Sequence, residues 1–281
     1  MSHAPIAITA PQALHGEGPV WDPIRRRLFW VDMMGKAIHA LDPRSDSVES
    51  AVYEHWVCAL APASRGLLAA FAKELAWVSW PTGSIDSIVA VEPDLPGNRC
   101  NDGKRDPAGR FWIGTMSGDG TVPGAGSLYR LEPNGRLVRV LGGLTIANGM
   151  GWSPDARTMY FIDSPTREIW AFDFDIVDSS ISRRRTVVRV PESLGLPDGM
   201  TVDREGCLWV AHWGPGCVCR WDPATGNRLA TLQTGCPHTS SCAFGGDAER
   251  ELFITTSQLG MDAVELQQTP KAGCLFRASV D

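Results

Sequence analysis

The sequence predicts an all-β chain folded as a six-bladed β-propeller, one domain over residues 1–281. Three observations point there. Apolar strand cores recur near positions 30, 68, 112, 161, 209 and 253, about 40–50 residues apart, which is the period of propeller blades and too long for helical repeats. Four polar residues, Glu17, Asn101, Asn148 and Asp198, each precede a turn signal by five positions and a core aromatic by 11 or 13. No stretch of useful length carries the apolar period of a helix, which argues against a TIM barrel or a dinucleotide-binding α/β domain.

Taken in order, Glu17 leads through Asp22-Pro23 to Leu28-Phe29-Trp30-Val31, then to a β signal closed by Asp42-Pro43. A weaker copy spans residues 58–70, with Ser64-Arg65-Gly66 as its turn. Asn101 leads through Asp106-Pro107-Ala108-Gly109 to Phe111-Trp112-Ile113, and a further strand ends in Pro133-Asn134-Gly135. Asn148 leads through Ser153-Pro154-Asp155 to Tyr160-Phe161-Ile162, and Asp198 through Asp203-Arg204-Glu205-Gly206 to Leu208-Trp209-Val210. A second weak copy, residues 241–255, has Leu252-Phe253-Ile254 as its core. Asp-Pro and Pro-Asn-Gly supply hairpin turns because proline presets φ and glycine accepts a positive one. Each unit therefore holds about four short strands, the first lining a central channel.

With 43% hydrophobic and 21% charged residues, 29 Gly and 20 Pro, the composition is that of a turn-rich soluble chain. A net charge of −6 and the lack of any Lys/Arg run give no footprint for nucleic acid or an anionic membrane, so neither partner is expected. No apolar stretch approaches the ~18–20 residues of a membrane span, and residues 1–11 lack the basic and apolar regions of a secretion signal. A cytoplasmic location is expected, and the oligomeric state is left open. The eight cysteines include no C-x-x-C pair and read as reduced thiols. Cys217 and Cys219 share one strand face, where strand packing is favoured over a soft metal site. The glycines between 114 and 126 form no phosphate-binding fingerprint, and a loop over the channel mouth is expected there.

Equivalent positions in a circular repeat converge on its axis, so Glu17, Asn101, Asn148 and Asp198 form a ring of carboxylate and amide oxygens. The remaining two units contribute neutral residues there, Cys58 and Ser241-Cys242. Two carboxylates held together in a channel repel unless a cation sits between them. An all-oxygen set of charge −2 suits one divalent ion, Ca, Mg, Mn, Zn or Fe(II). The alternative is that these side chains cap strand ends by accepting backbone N–H bonds. Glycines beside three of them, at 18, 149 and 199, favour close approach of backbone or ligand.

The segments Gly16-Glu17-Gly18-Pro19-Val20-Trp21, Asn98-Arg99-Cys100-Asn101-Asp102-Gly103-Lys104, Ala147-Asn148-Gly149-Met150 and Pro197-Asp198-Gly199-Met200 resemble, in order, the signatures of the gluconolactonase/regucalcin (senescence marker protein) family. The likeness covers nearly the whole chain. It implies a metal bound by Glu17, Asn148 and Asp198, with Arg99 and Asn101 facing the substrate. The implied activity is hydrolysis of sugar lactones to aldonic acids, with the metal polarising the lactone carbonyl and Asp198 assisting water attack.

His212 follows a strand core where relatives often carry Trp-Gly-Gly near the pocket, and it is a candidate substrate contact, although Trp213-Gly214-Pro215-Gly216 departs from that run. His238 is a weaker candidate, and Asp102 could support Asn101 from behind or simply end a strand. The loop over residues 117–126 has no Arg, Lys or Glu to grip a sugar, so the choice of lactone stays open. Two other functions use the same metal ring: a calcium-binding or scaffold propeller without lactonase activity, and a phosphotriesterase or non-sugar lactonase.

Overall fold

Six four-stranded antiparallel sheets, each a meander, form the predicted six-bladed propeller; the computed structural model describes residues 4–8, 12–246 and 250–280. The first blade is Gly16–Asp22, Arg27–Asp32, Ala37–Asp42 and Ser47–Val52. The last is assembled from both ends of the chain. Thr239–Gly245, Glu251–Thr256 and Phe276–Ser279 are completed by Ile6–Ala7, which pairs Ile6 with Arg277 and Ala7 with Phe276. Backbone hydrogen bonds thus close the ring without a covalent link.

The innermost strands are Gly16–Asp22, Val57–Ala63, Asn98–Arg105, Ala147–Trp152, Leu196–Val202 and Thr239–Gly245, and neighbours among them pack side by side around the channel. The second strands carry the apolar cores and bury both faces. Leu208 and Val210 enter a cluster with Ile162, Ile169 and Met200, while Trp209 and Ala211 enter one with Leu252 and Ile254. Because both faces meet a neighbouring blade, the run reads as continuously apolar instead of alternating.

The turn signals have a chemical reason. Asp106 accepts the N–H groups of Ala108 and Arg110 through Oδ1 and the Trp112 indole N–H through Oδ2 at 3.1 Å. Asp203 does the same for Glu205, Cys207 and, at 2.9 Å, Trp209. One carboxylate therefore folds the hairpin and satisfies the buried indole of the following strand, which explains the fixed spacing between turn and core.

Among the described residues one short α-helix, Ala263–Gln268, interrupts the last blade. Its six residues are too few for helical periodicity to show; it is set instead by a capping box in which Asp262 accepts from Val264 and Glu265.

Every innermost strand breaks register with its neighbour. The breaks fall between Glu17 and Val20, Val57 and Ala59, Cys100 and Gly103, Asn148 and Met150, Pro197 and Met200, and Thr239 and Ser241. A bulge bends the strand and re-aims a side chain, so all four predicted anchors sit at or within the one irregularity of their strand. The glycines beside two of them serve strand packing. A Cβ on Gly149 would stand 2.5 Å from the Asp198 carbonyl oxygen, and one on Gly199 would stand 2.4 Å from Ser241 Cβ and 2.8 Å from its Cα. Gly199→Ala is therefore expected to cost about 1–3 kcal/mol by overpacking. Thermal unfolding should show a drop of several degrees; an unchanged Tm would mean that the neighbouring strand yields freely.

Candidate active site

Glu17, Asn101, Asn148 and Asp198 come from four different blades and meet in the channel, each between 6% and 8% exposed. They are enclosed but not sealed. In two blades the approach to the anchor is held by a carboxylate at the end of the second strand. Asp32 accepts the N–H groups of Leu14 and His15, both at 2.9 Å, and Asp163 accepts those of Thr145 and Ile146. Glu17 and Asn148 each follow such a clamp by two residues.

A hydrogen-bond chain then fixes the amides. Arg99 Nη1 donates to Asn101 Oδ1 at 2.8 Å, and Asn101 Nδ2 donates to the Ala147 carbonyl at 3.0 Å and to Asn148 Oδ1 at 3.3 Å. Asn148 Nδ2 in turn donates to Ser164 Oγ at 3.0 Å. With its nitrogen on Ser164, the Asn148 amide has its oxygen on the Asn101 side, where it accepts that bond.

The carboxylates are under electrostatic load. Burial, then the charge of Asp198, then that of Asp102, push the Glu17 carboxyl well above its usual range; among the described residues only its own neighbour, the Gly18 N–H, hydrogen-bonds it, at 3.2 Å. Burial and the charge of Asp102 likewise raise Asp198, although Asn148 and the Gly199 N–H oppose the rise. No donor reaches Asp198 Oδ1 with hydrogen-bonding geometry, so a buried carboxylate oxygen has no partner. Among the described residues no three His, Cys, Asp or Glu side chains converge on one point. Two carboxylates, one of them Asp198 with its unpartnered Oδ1, and one amide oxygen make a donor set whose chemistry fits a divalent cation.

Residues 15–258 match the family described as the SMP-30/Gluconolactonase/LRE-like region. The chain belongs to that family. It is 40% identical over 268 residues to regucalcin from Danio rerio, covering 94% of this chain and 90% of the relative. It is 36% identical over 271 residues to the putative sugar lactone lactonase YvrE of Bacillus subtilis, covering 96% and 92%. The crystal structure of a calcium-binding protein, regucalcin, from Agrobacterium tumefaciens superposes with a TM-score of 0.93 at 28% identity, covering 99% of this chain and 94% of that one. Family and fold thus agree with the sequence motifs.

Arg99 lies over the Trp56 ring at 5.8 Å and is tied by Nε to the Gly118 carbonyl at 3.0 Å. The loop over residues 117–126 therefore reaches the same mouth. Asn101 differs from expectation in being spent on internal bonds: it links Arg99 to Asn148. Asp102 accepts only the Gly103 N–H through Oδ1, at 2.8 Å, and acts on both anchors by charge.

His212 does not face the channel, which corrects its assignment as a substrate contact. It is fully buried, its Nδ1 stands 3.1 Å from the Leu194 carbonyl oxygen, and its Nε2 takes the Trp221 indole N–H at 3.4 Å. Strand parity puts it on the face of Leu208 and Val210, toward the core between blades. Cys217 and Cys219, with sulfurs 3.8 Å apart, pack beside it in that core.

Two residues at the mouth escaped the sequence reading of the site, His15 and Trp56. His15 Nε2 lies 4.0 Å from Glu17 Oε1, and its Nδ1 is 2.9 Å from Ser257 Oγ. Burial and the positive charge of Arg99 lower its pKa to about 4, so it is neutral. Trp213 meets His15 edge-on and stacks on His238 at 4.1 Å. The signal for Asp32 and Asp163 was present, since each stands 15 positions after its anchor.

A carboxyl whose folded pKa exceeds its unfolded value stabilises below the unfolded value, near 4, and loses that contribution as pH rises through the folded one. Ion-free Asp198→Asn is therefore expected to be more stable than the unsubstituted protein by about 1–3 kcal/mol near neutral pH. The advantage should grow from about pH 5 to about pH 8 in thermal unfolding with chelator. A difference independent of pH would contradict the load on Asp198.

Proposed function

We propose that the chain is a divalent-metal-dependent hydrolase that opens sugar lactones to aldonic acids. The observation that carries this reading is the unpartnered Asp198 Oδ1 beside Glu17 and Asn148, with a guanidinium at the same mouth. A cation held by Glu17, Asn148 and Asp198 supplies Lewis acidity toward a carbonyl oxygen. Membership of a family that includes gluconolactonases, and the likeness to a putative sugar lactone lactonase, support the substrate class.

The protein's own groups divide the work. Asp198 accepts a proton from attacking water, and the ring oxygen leaves as a hydroxyl once protonated. Water adds to the carbonyl carbon and the ring C–O bond breaks, so lactone plus water gives hydroxy acid with no other reactant. Arg99 uses Nε and Nη1 internally, while its Nη2 has no oxygen partner among the described residues and can meet a substrate hydroxyl or the carboxylate formed. Asn101 holds Arg99 and Asn148 in register, and the 117–126 loop closes over them.

The test is acid release from γ- and δ-aldonolactones by chelator-stripped protein given Mg, Ca, Mn, Zn or Fe(II) in turn. A metal-restored rate above spontaneous opening is expected, falling by about 100-fold or more in Asp198→Asn. Ion binding with no acceleration of any lactone would overturn the lactonase reading and favour a calcium-binding propeller. Glu17→Gln should weaken ion affinity in a calorimetric titration more than Asn101→Ala, whereas Asn101→Ala should mainly raise KM. Equal losses of ion affinity would make Asn101 a ligand.

A further inference from the structure

A cavity of about 840 Å³ opens at the far end of the channel, and neither Glu17, Asn148, Asp198 nor Arg99 lines it. Its walls come from the later residues of the innermost strands, whereas Arg99 and the 117–126 loop stand at their beginnings. Between the two ends lies Lys104. Its ammonium crosses the bore from the third blade to the fifth, donating to the Met200 carbonyl oxygen at 2.5 Å. That is its one hydrogen bond among the described residues, so two N–H bonds are left for whatever occupies the cavity it lines.

The walls below are mixed in character. Trp21, Leu60, Val202 and Phe244 offer apolar surface. Arg220 pairs with Asp203 at 2.7 Å and with Glu205 at 2.5 Å, and together with Arg204, which also lines the cavity, it balances those two carboxylates. Asp102 faces Lys104 by charge, so Arg105 and Arg250 leave the lining net positive, and Arg105 Nε is buried without a partner among the described residues. A concave apolar wall with a cation at its floor and more at its rim selects a molecule with one acidic group and an apolar body. A neutral polyol such as a sugar lactone matches neither property.

We propose that this cavity is a second binding site, for a small amphipathic organic anion whose acidic group meets Lys104 and whose body lies on Trp21, Leu60, Val202 and Phe244. The site is independent of the lactonase reading, since it shares no residue with the proposed ligands.

The probe is 8-anilinonaphthalene-1-sulfonate, followed by fluorescence on the full chain. Saturable binding at one site is expected, displaced by octanoate and not by octanol. Lys104→Met should weaken it by about tenfold or more, as should the rim variant Arg105→Gln/Arg250→Glu, while Asp198→Asn leaves it unchanged. Should Lys104→Met fail to fold, the rim variant decides. Absence of saturable binding, indifference to the rim variant, or loss of binding in Asp198→Asn would each overturn the proposal, the last by moving the probe to the anchors.

Discussion

Glu17 and Asp198 are two like charges held in one buried channel, and the surrounding structure is arranged around that repulsion. A pair of carboxylates in such a place either takes up protons or gathers a cation. The fold offers neither of them a full set of donors: Glu17 has the N–H of the next residue, and Asp198 Oδ1 has nothing. Where a strand end needs capping in this protein, the carboxylate is bonded thoroughly, as Asp32, Asp106 and Asp203 are. The contrast argues against a purely structural role for the anchors, because the same chain shows what its structural aspartates look like.

Holding that repulsion in place takes rigid backbone. The bulge in each innermost strand turns a side chain into the channel, and the glycines at 149 and 199 let neighbouring strands come within a distance that a Cβ would forbid. Asp32 and Asp163 pin the chain two residues before Glu17 and Asn148. The Arg99–Asn101–Asn148–Ser164 chain sets the amide orientations. Misplacing any one of these would relax the carboxylates apart and remove the electrostatic drive to bind a cation.

Most of the fold was legible because its period was: turn aspartate, indole and core recur at fixed offsets, and those offsets come from a single hydrogen-bonding device. The anchors were legible for the same reason. What escaped followed from parity and from long-range packing. His212 was judged by its distance from a strand core, when counting twos from Leu208 and Val210 would have turned it inward. His15 and Trp56 precede the anchors of the first two blades by two residues each, a place the repeat does not single out, and only ring closure brings them beside Arg99. The six-residue helix rests on a local cap and leaves no periodic trace.

The neutral members of the ring complete the argument. Cys58 stands near Glu17 and Arg99, and burial pushes its thiol up to about 12 despite the guanidinium. It therefore adds no negative charge and no soft thiolate to the ring at neutral pH. Ser241, opposite Gly199, is neutral as well. Anionic donors at the ring are thus confined to Glu17 and Asp198, both hard oxygens, with Asp102 acting only by its field. Such a set suits hard divalent ions better than soft ones.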